Sequence, residues 1–215
     1  MKLSRKTRTQ KNHDVEKRPM VVLVHGIASA SISMWPLSWH LRKNGFETEC
    51  FGYPSCRQTI QFHGRRFAGF LEKLHQTQRC ESINIVAHSL GGIVTRSAIA
   101  DHGLPFINRI VTLATPHKGS ATAAWLTSHG LGFIKTLAEI SDAGDSFVNG
   151  LCEIESFEVG AITASYDFVV GPKSSAMRSV SDHIKVFSGH NGLLVRPKVG
   201  RYVTSFLKTG KFQVV

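Results

Sequence analysis

The sequence predicts an α/β chain built on a mainly parallel sheet of about six strands, with helices on both faces. Strand-like runs alternate with stretches of helical periodicity along the chain, and parallel strands need such long crossovers between them. The longest apolar runs, Met20 to Val24 and Ile83 to Ala87, have strand length and end at polar or glycine residues. A chain of 215 residues with 42% hydrophobic content also suits one compact domain. Such a domain buries roughly 70% of its unfolded surface.

The elements follow in order after Pro19. Met20 to His25 is a β-rich run, and Ser31 to Lys43 carries Ile32, Trp35, Leu37 and Leu41 at helical spacing before Asn44-Gly45 ends it. Glu47 to Tyr53 is a weaker strand closing at Pro54. From Gln58 to His75, the residues Ile60, Phe62, Phe67, Phe70, Leu71 and Leu74 predict an amphipathic helix. Ser82 to Ala87 is the third strand, Leu90 to Ala100 the helix after it, and Ile107 to Ala114 the fourth strand. Phe157 to Ser165 and His183 to Phe187 complete the sheet, and Val199 to Leu207 forms a closing helix. Between Gly119 and Glu155 small and apolar residues dominate. This insertion follows the carboxyl end of a strand, where open α/β sheets build ligand sites, and reads either as a helical lid or as a crossover helix packed on the sheet.

Composition excludes several classes. No apolar run approaches the roughly 20 residues that a membrane span requires. Cys50, Cys56, Cys80 and Cys152 form no C-x-x-C pair and read as small hydrophobes in a reducing, cytoplasmic setting. The eleven histidines include no H-E-x-x-H or other tight ligand spacing, so neither metal nor cofactor is expected. The net charge of +11 is uneven: residues 1–18 hold seven Lys or Arg against Asp14 and Glu16, a local +5. With no apolar stretch behind it, this segment is expected to be a basic, disordered arm rather than a cleaved signal. Its first reading is a solvated terminus, and its functional alternative is weak attachment to anionic membrane surface. No motif for reading nucleic acid accompanies it. Residues 19–215 then form a single domain with the insertion at about 120–155.

The chemistry is concentrated where the third strand breaks. Ser82 to Gly92 reads Ser-Ile-Asn-Ile-Val-Ala-His-Ser-Leu-Gly-Gly, and small residues at Ala87 and Gly91 allow a sharp turn that would hold the Ser89 hydroxyl out at the sheet edge. A serine hydroxyl is a poor nucleophile at neutral pH and needs a base and a group to orient that base. Asp167 follows the fifth strand and His190 the sixth, so both fall on the same edge as Ser89. Asp142, Asp145 and Asp182 compete for the acid and His183 for the base. The turn at His25-Gly26-Ile27 follows the first strand, so the Ile27 amide could pair with the Leu90 amide to face a developing oxyanion. The bland reading of Ser89 is a helix N-cap.

Together, Val24-His25-Gly26, Ala87-His88-Ser89-Leu90-Gly91-Gly92, Thr115-Pro116-His117-Lys118-Gly119-Ser120, Asp167 and Gly189-His190 resemble the α/β-hydrolase superfamily, and within it the small lipase-like esterases. The resemblance covers about residues 20 to 210. It implies a minimal α/β-hydrolase fold and a serine hydrolase of carboxylic esters that uses Ser89, Asp167 and His190 with the Ile27 and Leu90 amides and a small-molecule acyl ester substrate. Three departures stand out: Ala87 replaces the first glycine of the elbow, two strands that commonly precede the His-Gly strand have no room, and the lid region is short. A thioesterase, amidase or acyltransferase would use the same residues. A non-catalytic scaffold docked on a membrane or acidic partner is the rival from another class.

Overall fold

The computed structural model describes residues 18–78, 80–171, 174–175, 177 and 179–213. Apart from Arg18, the basic arm lies outside the described residues. Among them, six strands form one sheet: β1 (Met20–Val24), β2 (Glu47–Phe51), β3 (Ile83–His88), β4 (Ile107–Leu113), β5 (Glu158–Tyr166) and β6 (Asp182–Gly189). Their order is β2-β1-β3-β4-β5-β6, and each neighbouring pair is parallel. The helices are α1 (Trp35–Lys43), α2 (Ile60–Gln78), α3 (Leu90–His102), α4 (Ala121–Leu126), α5 (Lys135–Glu139), α6 (Phe147–Gly150) and α7 (Pro197–Thr209). Every predicted strand is present, with ends within about two residues of those read from the sequence.

Side chains alternate across each strand, so β1 feeds two cores. Val21 and Leu23 pack with Met34, Leu37 and Leu41 beside α1 and with Val199, Val203 and Phe206 of α7. Met20, Val22 and Val24 pack on the other face with Phe67 and Leu71 of α2 and Ile93 and Val94 of α3. All five β1 residues are buried, as a strand covered on both sides requires.

One helix departs from the sequence reading. Residues 31–43 are not a single helix: Ser31–Met34 is a 3-10 turn, and Pro36 sits in the first turn of α1. The tighter turn changes the facing of side chains across the junction. Met34, Leu37 and Leu41 are therefore buried, whereas Ile32, Trp35 and Trp39 are exposed. Phe62 of α2, also expected on an apolar face, is 44% exposed.

The insertion packs against the α2 and α3 side. Ala123, Leu137, Ile140 and Val148 join that core. Glu139 Oε2 accepts a hydrogen bond from the first amide of α2, Ile60 N, at 2.6 Å, and Thr136 Oγ1 donates to Ser55 O at 2.9 Å. A carboxylate at a helix N-terminus also meets the positive end of the helix dipole. Burial nonetheless pushes the Glu139 carboxyl upward overall. Trp125 and Phe133 remain exposed on the outer side of the insertion.

The strand order places a topological switch between β1 and β3. From β1 the chain winds outward to β2, and from β3 it winds the other way to β4, β5 and β6. Loops at the carboxyl ends of β1 and β3 must therefore diverge, leaving a crevice. Close packing of α3 makes that crevice narrow: a Cβ on Gly91 would lie 2.6 Å from Val24 O and 2.7 Å from His25 O. By contrast, a Cβ on Gly69 in α2 would meet nothing within 4 Å. Two substitutions should therefore have opposite signs. Gly91→Ala should lower unfolding free energy by about 1–3 kcal/mol through overpacking. Gly69→Ala should raise it by roughly 0.5–1 kcal/mol through helix propensity. Urea unfolding of the two variants checks both.

Candidate active site

β3 ends at His88 and α3 begins at Leu90, so Ser89 alone makes the turn, at φ 53° and ψ −123°. A non-glycine residue in that region is strained by about 1–3 kcal/mol and persists only where its surroundings fix it. Ser89 N donates to Leu113 O at 2.8 Å, holding the residue to the sheet after β3 has ended. Gly26 closes over it from the β1 side: a Cβ there would lie 3.0 Å from Ser89 Cβ and 3.1 Å from His88 Nδ1. The Ser89 side chain makes no capping hydrogen bond to α3, so the helix-cap reading has no contact behind it.

Asp167 follows β5 and His190 follows β6, and the structure brings these two together. The His190 Nδ1–H donates to Asp167 Oδ2 at 2.8 Å, with side-chain exposures of 12% for the histidine and 4% for the aspartate. A neutral ring with its proton on Nδ1 carries a free lone pair on Nε2. The other carboxylate oxygen, Oδ1, accepts from Val169 N at 2.9 Å and Val170 N at 2.8 Å. Burial pushes the Asp167 carboxyl up. The hydrogen bonds from His190, Val170 and Val169, with the nearby His190 charge, outweigh it and hold the group below its usual value. The rival acid Asp182 sits at the start of β6 and accepts from His183 N and Phe212 N. The rival base His183 faces Thr163 Oγ1 at 3.2 Å.

Ser89 and His190 are not hydrogen-bonded to each other among the described residues. The elbow reaches the histidine loop through His88, whose Nε2–H donates to the His190 carbonyl at 3.3 Å and whose ring lies 4.9 Å from the His190 ring. Burial, then the neighbouring His190, drives the His88 pKa down to about 3, so the ring is neutral. The sequence reads His25 and His88 as loop braces held by hydrogen bonds, and the structure shows both; which loop His88 reaches leaves no spacing signal.

The turn after β1 is braced in the same manner. His25 Nδ1–H donates to Gly26 O at 2.9 Å, its Nε2 accepts from Tyr53 N at 3.3 Å, and Tyr53 Oη–H donates to His25 O at 2.8 Å. The two rings stack at 4.4 Å. This pattern of one donor and one acceptor fixes the neutral tautomer, and burial lowers the His25 pKa. Ile27 follows directly and packs partly buried against the α2 and α3 core. Leu90 opens α3, so its amide has no partner within the helix. Among the described residues no group of three or more His, Cys, Asp or Glu is placed to hold a metal ion. Cys50, Cys56 and Cys80 are half-buried, and Cys152 is exposed rather than buried as a small hydrophobe would be.

His117 lies behind the site, buried, with its Nε2 3.3 Å from Thr112 Oγ1. Below it Arg96 threads through the core, donating to His117 O at 2.9 Å and Leu151 O at 2.7 Å. Burial first, then Arg96, drives the His117 pKa down to about 3. A histidine whose folded pKa lies below its unfolded value of about 6.5 binds fewer protons when folded. Stability is therefore complete above pH 6.5 and falls as the pH drops toward 3. Each such histidine contributes a slope of about 1.4 kcal/mol per pH unit in that window. Urea unfolding between pH 6.5 and 4 should show the decline, and His117→Gln should remove about one histidine's share of the slope.

The family described as "Putative serine esterase (DUF676)" matches residues 14–146. The match includes Ser89 and the turn after β1 and stops before Asp167 and His190. No curated protein matches the chain. Among solved structures, a lipase of Bacillus licheniformis, BlEst2 in mature form, superposes with a TM-score of 0.73 at 17% identity, covering 93% of this chain and 95% of that one. Est1E from Butyrivibrio proteoclasticus gives 0.69 at 14% identity, covering 92% and 90%. The Pyrococcus furiosus esterase Pf2001 gives 0.64 at 17% identity, covering 90% and 83%. At these identities the likeness concerns the fold, and with the family match over more than half of the sequence it places the chain in the DUF676 family of the α/β-hydrolase superfamily.

Proposed function

We propose that this protein is a serine hydrolase of carboxylic esters working through an acyl-enzyme. One observation supports the reading above the others. A serine held at positive φ between β3 and α3 shares a sheet edge with a hydrogen-bonded His190–Asp167 pair, and His88 ties the two loops together. In this reading Ser89 Oγ attacks the ester carbonyl while His190 Nε2 takes its proton. Asp167 stabilises the resulting imidazolium through the Nδ1–H bond. The Ile27 and Leu90 amides face the oxyanion, where each such donor is worth several kcal/mol in the transition state. Collapse of the tetrahedral intermediate expels the alcohol, protonated by His190. Water then attacks the acyl-enzyme with His190 again as base.

The chemistry needs no cofactor. The substrate class proposed is a small acyl ester, with apolar residues of the insertion as the basis for favouring an acyl chain. Thioester or amide cleavage and acyl transfer remain the alternatives on the same residues, and a docked, non-catalytic scaffold is the rival of another class. No described helix is long and apolar enough to cross a membrane. We place the chain in the cytoplasm, as one domain behind its basic arm.

Hydrolysis of a chain-length series of aryl esters and thioesters tests this reading. Ser89→Ala should lower kcat by about 10⁶-fold and Asp167→Asn by about 10⁴-fold, with KM much less affected. Esters should be preferred over thioesters of the same length. Turnover retained in Ser89→Ala rules the mechanism out, and a preference for thioesters selects the alternative.

A further inference from the structure

α1 and α7 lie side by side over one face of the sheet and share its core. Their contact is close: a Cβ on Gly200 would lie 2.7 Å from the His40 ring. Large apolar side chains along this pair are open to solvent. Trp35 is 63% exposed, Trp39 60% and Val195 65%. Between the helices lies a cavity of about 360 Å³, lined by Trp35, Pro36, Trp39, Leu194, Val195 and Arg196 among others.

The charge carried by the two helices has one sign. α1 carries Arg42 and Lys43, and α7 carries Lys198, Arg201 and Lys208, with Arg196 just ahead of it; neither helix contains an acidic residue. Glu49 of β2 marks the margin, where it lines a neighbouring cavity with Arg42 and the two tryptophans. Lys43 Nζ sits 3.7 Å above the Trp39 ring.

From this combination we infer that the α1–α7 face docks on an anionic lipid bilayer. Tryptophan prefers the boundary between headgroups and hydrocarbon, and lysine and arginine are drawn to acidic headgroups. A nucleic-acid platform would present free aromatic faces for stacking. Here Lys43 covers one face of Trp39, and the aliphatic Val195 and Pro36 beside the tryptophans suit hydrocarbon instead. The amino ends of α1 and α7 point to the sheet edge that carries Ser89. Docking would hence bring that edge to the lipid, a consequence that rests on the ester-hydrolase reading, although the docking does not.

The test is co-sedimentation of the full chain with phosphatidylcholine vesicles, with and without phosphatidylglycerol, at low and high salt. The wild type should bind only the anionic vesicles and lose binding in high salt. Lys43→Gln with Lys198→Gln should weaken partitioning about 25-fold, fivefold for each cation removed. Trp35→Ser with Trp39→Ser should weaken it further, and in Trp125→Phe the remaining tryptophan emission should shift to the blue on binding. None of these changes should alter turnover of a soluble ester, while Ser89→Ala should abolish turnover and leave binding intact. Undiminished binding in the face variants assigns the contact elsewhere, such as the basic arm, and overturns the inference. So does an absence of binding, or binding to polyuridylate in place of vesicles.

Discussion

Ser89 occupies a backbone conformation that an L-residue holds only under constraint, and the candidate site is arranged around it. The constraint comes from both neighbouring strands. β4 holds the residue through Leu113 O, and the β1 turn closes on it at Gly26. Gly91 lets α3 settle against the β1 backbone, so the helix has one position in which to start. A strain of about 1–3 kcal/mol is small beside the burial of the surrounding strands, where each fully buried Val, Leu or Ile contributes about 1.5–3 kcal/mol. The local cost is thereby offset by packing far from the serine.

Neutral buried histidines do the bracing. His88 joins the elbow to the His190 carbonyl, and His25 joins the β1 turn to Tyr53. Imidazole suits this task because a single planar ring offers one donor and one acceptor, and burial keeps it uncharged. The same burial makes the site acid-sensitive. His190 differs from these in having a carboxylate partner, and that carboxylate is itself secured by two backbone amides from the loop after β5.

Much of the architecture was legible because each signal is local. An apolar run of strand length, a helical period and a glycine after the last turn are read within a dozen residues, and these place β1 to β6, α2, α3 and α7. The edge shared by Ser89, Asp167 and His190 followed from parallel strands having their carboxyl ends on one side. What escaped was set by contacts between distant segments. The 3-10 turn before α1 re-aimed Trp35 and Ile32 outward, and apolar spacing alone carries no record of that change of pitch. His25 and His88 were legible as loop braces, but their partners at Tyr53 and the His190 carbonyl, and the passage of Arg96 to the His117 and Leu151 carbonyls, depend on loop positions in space. Arg96, charged within the otherwise uncharged stretch from Leu90 to Ala100, was the available hint of the last.

The central claim is that Ser89 is activated by the His190–Asp167 pair. Mass spectrometry of peptides from protein treated with a fluorophosphonate addresses it most directly. The account predicts a single adduct on the peptide that contains Ser89, formed far more slowly in His190→Ala. An unmodified protein, an adduct on another serine, or an undiminished rate without His190 would contradict it.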